Sequence, residues 1–183
     1  MKISMYSIDY LLTNELNSLY EVKISNGTYI EDVAIVYSGD VFFITQMGKV
    51  VRSPLYPFSL DTADLIYDFH NYGSYTIETD RLKGEVIYIL DDNGVVYKTN
   101  NGTATNANFL IVPLQFNAEK ICMQNGDTGW ILDKSGEIHY STNGFINSES
   151  VESVNNVSDL FYDTNFESIC TFTYEGEIYL LKR

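Results

Sequence analysis

Short apolar runs separated by polar turns follow one another along most of the chain. One pattern occurs four times: an apolar run, a polar turn that ends in glycine, one polar or apolar residue, two β-forming residues and then polar residues. The copies are VFFITQMGKVVRS, VIYILDDNGVVYKT, GWILDKSGEIHYST and ICTFTYEGEIYLLK. Their glycines, Gly48, Gly94, Gly136 and Gly176, are almost evenly spaced along the sequence. Such a regular repeat predicts an array of similar β-sheets.

Each copy has the composition of a β-hairpin. The polar residues before the glycine tolerate positive φ, and glycine adopts it at no steric cost. The alignment gives one column of predicted core positions, which holds Phe42, Tyr88, Trp130 and Cys170. The sequence from Asp91 to Gly94 resembles part of a calcium loop, but the further ligands and the distal Glu are missing. We therefore expect a turn there, and no metal site or cofactor.

A weaker signal precedes the turns, where a charged residue stands before an apolar one. The pairs are Asp32-Val33, Asp64-Leu65, Lys120-Ile121 and Asp159-Leu160. The first, third and fourth pairs stand at nearly the same distance before their glycines, and the second stands much further from its own. On this alignment the second copy contains an insertion at about residues 71–84. Between the copies, Asn, Gly, Thr and Ser predict surface loops.

These patterns predict one all-β domain over residues 1–183, a small β-propeller or an open propeller-like arc of four or five antiparallel sheets. Residues 9–22 fit either a strand or a helix. If the ring closes, the N-terminal segment would complete the sheet of the C-terminal copy and remove its exposed edge. An open arc would instead keep exposed edges, and it should form a homodimer or dock onto a partner.

The repeat resembles that of the regulator-of-chromosome-condensation propellers, most closely in AEKICMQNGDTGWILDKSGEIHYSTNG, residues 118–144. The resemblance extends over about residues 30–183 and implies a propeller that acts as an interaction platform. Two family features are absent from every copy: the central Gly-His pair and the Trp-Gly ending. The endings here are Arg52-Ser53, Lys98-Thr99, Tyr140-Ser141 and Leu180-Leu181. The family usually closes seven blades, and this chain has room for four or five.

The chain is strongly acidic, with 25 acidic and 11 basic residues and a net charge of −14. Such a charge repels phosphate backbones and anionic membrane surfaces, so direct binding to nucleic acid or membrane is not expected. It favours either solubility alone or association with a basic protein surface. Without a signal peptide pattern or a long apolar run, we expect a cytoplasmic protein with free thiols at Cys122 and Cys170.

The sequence offers little catalytic chemistry. No motif for a nucleophile, a metal or a phosphate-binding loop is present. The two histidines are His70, in an aromatic stretch, and His139, which aligns with Val51, Tyr97 and Tyr179 and is expected to pack. We therefore expect a protein without enzymatic activity.

The leading functional hypothesis is a protein-binding module whose acidic, tyrosine-rich loops cover a basic surface of a partner. Its most concrete form is an inhibitor of a nucleic-acid-handling enzyme such as a nuclease, like the anti-CRISPR proteins that phages and mobile elements encode. The alternatives are a lectin-like propeller and a structural protein of a virion or surface assembly. The candidate contact residues lie in or near the apparent insertion: Asp64, Asp68, His70, Tyr72, Tyr75, Glu78 and Asp80. The alternative interpretation of this stretch is a longer outer hairpin.

Overall fold

The computed structural model describes residues 2–5, 20–23, 29–54, 63–81, 83–151, 154, 156–163 and 167–181. These residues form strands and turns, and no helix among them is long and apolar enough to cross a bilayer. Two strands at the start, β1 (Lys2–Met5) and β2 (Tyr20–Lys23), pair with each other. The remaining strands form four consecutive antiparallel sheets.

The four sheets repeat one plan, in which the chain moves from one strand to its neighbour. Sheet 1 contains β3 (Ile30–Ile35), β4 (Asp40–Thr45), β5 (Lys49–Pro54) and β6 (Asp64–Asp68). Sheet 2 contains β7 (Tyr75–Thr79), β8 (Ile87–Asp91), β9 (Val96–Thr99) and β10 (Leu110–Ile111). Sheet 3 contains β11 (Ala118–Met123), β12 (Gly129–Asp133), β13 (Ile138–Ser141) and β14 (Glu149–Val151). Sheet 4 contains β15 (Val157–Asp163), β16 (Ser168–Thr173) and β17 (Ile178–Leu181).

The first strand of each sheet lies on the inner side of the array. Strand β3 contacts β7, β7 contacts β11, and β11 contacts β15. In the described part of the chain, β3 and β15 do not pack against each other in this way. The structure is therefore an open, propeller-like arc of four sheets, which is one of the two arrangements that the sequence predicted.

The predicted hairpins are confirmed between the second and third strands. Each repeat glycine has positive φ, from 74° at Gly48 to 89° at Gly136. The predicted core column is also confirmed, because Phe42, Tyr88, Trp130 and Cys170 are all buried.

Consecutive sheets pack face to face and enclose three apolar cores. The first core joins Phe42, Ile44 and Val50 of sheet 1 to Ile77, Ile87 and Ile89 of sheet 2. The second joins Tyr88, Leu90 and Val96 to Ala118, Ile121 and Ile131. The third joins Trp130, Leu132 and Ile138 to Leu160, Tyr162 and Ile169. Side chains alternate across each strand, so one face of a sheet meets the preceding sheet and the other meets the following one.

The predicted insertion in the second repeat is wrong. Asp64-Leu65 lies in the outermost strand of sheet 1, whereas the position equivalent to the other charged-apolar pairs is Thr76-Ile77 in β7. In sheets 1, 3 and 4 that pair follows a β-bulge in the inner strand, and β7 pairs with β8 without one. Residues 71–84 therefore supply the inner strand of sheet 2 and are not an addition to it.

The predicted completion of the last sheet by the N-terminal segment is not seen. Strand β17 pairs only with β16 among the described residues, and β1 and β2 pair with each other. Of the ambiguous residues 9–22, residues 20–22 belong to β2, and residues 9–19 lie outside the described part of the chain.

Two of the turn glycines allow a matched test of this packing. A Cβ atom on Gly94 would lie 2.7 Å from the carbonyl oxygen of Ala118, at the start of the next sheet, whereas a Cβ on Gly136 would meet nothing within 4 Å. Both positions have positive φ, so alanine at either costs roughly 1–2 kcal/mol in backbone strain. We expect Gly94→Ala to lower the free energy of unfolding by about 1–3 kcal/mol more than Gly136→Ala, because only Gly94 also meets a clash. Urea denaturation of both variants measures the difference. If both variants lost the same free energy of unfolding, the packing of the Gly94 turn against sheet 3 would be contradicted.

Candidate functional site

The four hairpin turns lie at one end of the arc, which we call the turn face. It comprises residues 46–48, 92–95, 134–137 and 174–177 and the starts of the inner strands. Exposed apolar and aromatic side chains occur on it, namely Tyr29, Met47, Tyr72 and Tyr174. Its carboxylates belong to Glu31, Asp68, Asp92, Glu119, Glu137, Glu175 and Glu177, and its described lysines are Lys49 and Lys134. The turn face is therefore acidic and carries several tyrosines.

A cleft of about 780 Å³ on this face opens between sheets 3 and 4. Glu119 and Glu137 contribute carboxylates to it, Lys134 contributes an ammonium group, and Tyr174 contributes an exposed ring. Such a lining can accept a cationic side chain, because carboxylates pair with it and an aromatic ring attracts it. Sequence reasoning missed this cleft, since its lining comes from turns of two different sheets.

Three of the predicted contact residues meet at a second, smaller cavity of about 420 Å³. Asp68, His70 and Tyr72 line it together with Met47 and Lys49. Asp68 Oδ1 accepts the backbone N–H of His70 at 2.8 Å and lies 3.3 Å from His70 Nδ1. This carboxylate therefore holds the His70 backbone, whose φ is 53°. These three residues share one accessible surface, and their role in binding stays a prediction.

Two other predicted contact residues lie away from that surface. Tyr75 is only 5% exposed; its hydroxyl donates to the carbonyl oxygen of Asn71 at 3.2 Å, and its ring stacks on Phe69. Asp64 is exposed on β6, opposite Arg52. The Tyr75 side chain is a core residue and cannot contact a partner without opening of the fold.

The remaining two, Asp80 and Glu78, belong to the inner strand region of sheet 2. Asp80 accepts the backbone N–H groups of Lys83 at 2.9 Å and of Val86 at 2.8 Å, so it organises the connection to β8. Glu78 lies on β7, partly buried. The seven candidates therefore do not form one continuous contact surface.

Glu78 belongs to a charged cluster on the inner side of the arc. Burial raises the pKa of Glu78 to about 7, against the opposing effect of the Arg81 guanidinium and with a further contribution from the Asp32 carboxylate. Arg81 Nη2 donates to the carbonyl oxygen of Tyr162 at 3.3 Å, and the guanidinium carbon lies 5.5 Å from the centre of that ring. Asp32 Oδ2 accepts the backbone N–H of Ile77 at 2.9 Å, which links sheet 1 to sheet 2. The cluster connects sheets 1, 2 and 4.

A group of potential metal ligands occurs in the described residues at Asp133, Glu137 and His139, whose ligand atoms lie within 4.8 Å of one another. His139 Nε2 is 2.9 Å from Asp133 Oδ2, and its ring stacks on Phe116 at 3.7 Å. Partial burial alone would raise the pKa of Asp133, but hydrogen bonds from the Ser135 hydroxyl, from His139 and from two backbone N–H groups lower it to about 2.

The same contact recurs in sheet 2, where the Tyr97 hydroxyl lies 3.4 Å from Asp91 Oδ2 at the equivalent positions. Asp91 Oδ1 also accepts the backbone N–H groups of Asn93 and Val95, as Asp133 Oδ1 accepts those of Ser135 and Glu137. The pair of Asp133 and His139 thus holds a turn, as expected for a packing histidine. The turn predicted at Asp91 is confirmed as well.

Comparison with known proteins identifies the fold but no family. No protein-family model matches the chain, and no curated protein matches it. Among solved structures, YCF48 from Cyanidioschyzon merolae matches with a TM-score of 0.61 and 11% identity over 88% of this chain and 56% of that one. A structure of YCF48 bound to D1 peptide matches with a TM-score of 0.59 and 10% identity over 84% and 51%. The β-propeller domain of Cps50 (Swd1) from Myceliophteria thermophila matches with a TM-score of 0.56 and 8% identity over 85% and 55%.

These similarities show that the repeats are propeller repeats. The chain spans about half the length of each of these three solved structures. That proportion agrees with an arc of four sheets that has not closed on itself. The narrower resemblance to the regulator-of-chromosome-condensation repeats stays a prediction.

The raised pKa of Glu78 predicts a pH-dependent contribution to stability. Its pKa in the folded state lies above its ordinary value of 4.5, so the folded protein retains a proton that the unfolded chain releases. The contribution is fully present below about pH 4.5 and is lost as the pH rises through about 7. We expect Glu78→Gln to raise the free energy of unfolding relative to the natural protein by about 2–3 kcal/mol more at pH 8 than at pH 4.

Urea denaturation of both proteins at several pH values measures this difference. Glu85→Gln is the control, because Glu85 is exposed and should give a difference that is nearly independent of pH. A pH-independent effect of Glu78→Gln would contradict the burial of this carboxyl group among the inner strands.

Proposed function

We propose that the protein is a non-enzymatic binding module that holds a basic protein surface against its turn face. The observation that carries the proposal is the cleft between sheets 3 and 4, where two carboxylates and an exposed tyrosine line one opening. A lysine or arginine of a partner fits this chemistry, because its charge pairs with Glu119 or Glu137 while its stem lies along Tyr174. The net charge of −14 adds a long-range attraction that speeds the encounter.

Similar structures agree with binding by such a fold. One solved YCF48 structure is of that protein bound to D1 peptide. A propeller-like scaffold presents loops at a fixed spacing, so a rigid set of turns meets the partner with little ordering cost. By this analogy the turn face is the surface that we assign to the partner.

The chemistry of the described residues favours binding over catalysis. Burial raises the pKa of Cys122, which disfavours a reactive thiolate, and Cys170 is also buried. The His139 ring pairs with the Asp133 carboxylate, and His70 lies beside Asp68 on an exposed loop. In the part of the chain that the structure describes, neither histidine lies against a nucleophile.

In its most specific form, the proposal is that this protein inhibits a nucleic-acid-handling enzyme, such as a nuclease, in the cytoplasm of a host cell. Enzymes of this class carry basic grooves for phosphate backbones. An acidic face with carboxylates at its turns has the sign of charge that such a groove accepts, so it would occupy the groove in place of nucleic acid. An anti-CRISPR protein of a phage is one example of this class of inhibitor.

A lectin-like function receives less support. Trp130, the one tryptophan, is 4% exposed and stacks on Tyr162, so it is unavailable to a sugar ring.

A matched pair of double variants tests the assignment of the turn face. Glu119→Gln with Glu175→Gln removes two exposed carboxylates from it, and Glu85→Gln with Glu167→Gln removes two exposed carboxylates from the opposite end of the arc. Exposed ion pairs contribute about 0.2–1 kcal/mol each, so the first variant should bind its partner about 2- to 30-fold more weakly. The second should bind nearly as the natural protein does.

The measurement is affinity capture from host lysate at low and high salt, followed by identification of the retained proteins and titration of the purified partner with each variant. The proposal predicts a salt-sensitive basic protein, and for the inhibitor form an enzyme whose nuclease activity falls when the acidic protein is added. If both double variants lost the same affinity for the partner, or if high salt did not weaken capture of the partner, binding at the turn face would be contradicted.

A further inference from the structure

The hairpin of sheet 3 differs from the other three hairpins in the side chains around its turn. Sheet 3 carries Asp133, Glu137 and His139 at three set distances from its turn glycine, and the ligand atoms of these side chains lie within 4.8 Å of one another. The other sheets do not have a carboxylate or an imidazole at all three positions. Their residues there are Thr45, Lys49 and Val51 in sheet 1, Asp91, Val95 and Tyr97 in sheet 2, and Thr173, Glu177 and Tyr179 in sheet 4.

The two oxygens of the Asp133 carboxylate have different roles. Oδ1 accepts the hydroxyl of Ser135 at 2.6 Å and the backbone N–H groups of Ser135 at 2.8 Å and Glu137 at 3.0 Å. Oδ2 lies 2.9 Å from His139 Nε2. Hydrogen bonds to one oxygen of a carboxylate fix its orientation and leave the other oxygen as a ligand. Asp133 is therefore held in place with Oδ2 directed at the imidazole.

The other two side chains are held by neighbours outside the turn. The His139 ring stacks on Phe116 with 3.7 Å between the ring centres. Ser150 stands opposite His139 on strand β14, and its hydroxyl donates to the Glu137 carboxylate. Glu137 also lines the cleft between sheets 3 and 4 and is partly exposed, so an ion can reach the three side chains from solvent. One nitrogen and two carboxylates thus converge in fixed orientations.

Support of the turn does not account for this set of side chains. In sheet 2 the Tyr97 hydroxyl makes the equivalent contact to Asp91 Oδ2 at 3.4 Å, and Val95 stands where sheet 3 has Glu137. Holding the turn therefore requires neither an imidazole nor a second carboxylate. Two carboxylates held this close repel each other, and a cation between them removes that repulsion.

From this arrangement we propose that Asp133, Glu137 and His139 bind one divalent transition-metal ion, for which zinc is the best fit. Imidazole nitrogen and carboxylate oxygen are both zinc ligands, and three protein ligands leave a fourth position for water. Calcium and magnesium prefer ligand sets made of oxygen alone, so the imidazole favours zinc over them. The proposal differs from the expectation of no metal site that the sequence supported.

The spacing of the ligand atoms suits such an ion. Zinc lies about 2.0–2.2 Å from nitrogen and oxygen ligands, so tetrahedral geometry places two ligand atoms about 3.4 Å apart. The atoms here are separated by 2.9 Å for the pair of His139 and Asp133 and by at most 4.8 Å overall. A small rotation of the partly exposed Glu137 side chain closes the remaining distance. The ion displaces the hydrogen from His139 Nε2, and the neutral imidazole keeps its one proton on Nδ1.

Titration of the metal-free protein with zinc chloride, followed by calorimetry, tests the proposal. The natural protein should bind one zinc ion per chain. His139→Tyr and Glu137→Val each remove a ligand and should weaken zinc binding by at least about 10-fold. Both variants copy the residues that sheet 2 has at these positions, so the turn and the fold should be kept. His70→Ala is the matched control, because it removes the other histidine, and it should bind zinc as the natural protein does.

Urea denaturation with and without zinc gives a second measurement. Zinc should raise the urea midpoint of the natural protein and of His70→Ala, because it binds the folded chain, and it should raise that of His139→Tyr much less. A natural protein that binds no zinc would overturn the proposal. Undiminished zinc affinity in His139→Tyr and Glu137→Val would overturn it too, as would loss of binding in His70→Ala alone.

Discussion

The fold depends on the burial of each sheet on both of its faces. The second strands are buried at nearly every position, and those of sheets 1 to 3 are mostly apolar, with the sequences VFFIT, IYILD and GWILD; in sheet 4 the strand SICTFT also buries Ser and Thr. A strand that alternates between apolar and polar residues suits a sheet with one solvent-exposed face. A continuous apolar run instead requires packing partners on both faces of the sheet. Face-to-face packing of consecutive sheets satisfies this requirement, and it places the four hairpin turns on one end of the arc. In the two end sheets the second strands are also buried, whereas Ile35 and Ile178 on neighbouring strands are more than half exposed.

The sequence allowed the period, the hairpins and the core column to be predicted, because these features have strong local causes. A turn that needs positive φ selects glycine, and a doubly buried strand selects apolar residues at fixed spacing from that turn. The inner strands of the four repeats could not be aligned with the same accuracy from the sequence. Thr76-Ile77 lacks the charge that marks the other three inner strands, so the charged-apolar pattern selects Asp64-Leu65 of an outer strand instead. The pattern then shows an apparent insertion, and the core residue Tyr75 falls within the predicted contact surface.

The candidate site was only partly predictable for a related reason. Asp68, His70 and Tyr72 are near one another in sequence and meet in space, whereas the cleft beside Tyr174 combines the turns of two sheets that are far apart in the sequence. Turns of a repeat protein come together through the stacking of sheets, so no single stretch of sequence shows the charge of the face that they build. The net charge of the whole chain leads only to the proposal of a basic partner, and the fold shows which carboxylates from different turns share one face.

The central claim is that four equivalent sheets, each covered on both sides of its second strand, form one continuous array. Amide hydrogen exchange of the folded protein, resolved to single residues, tests it most directly. The account predicts that the slowest exchange occurs in the second strands of all four sheets, at residues 41–44, 87–90, 130–132 and 169–171. Slow exchange confined to one or two of these strands, with the others exchanging as fast as the turns, would contradict it.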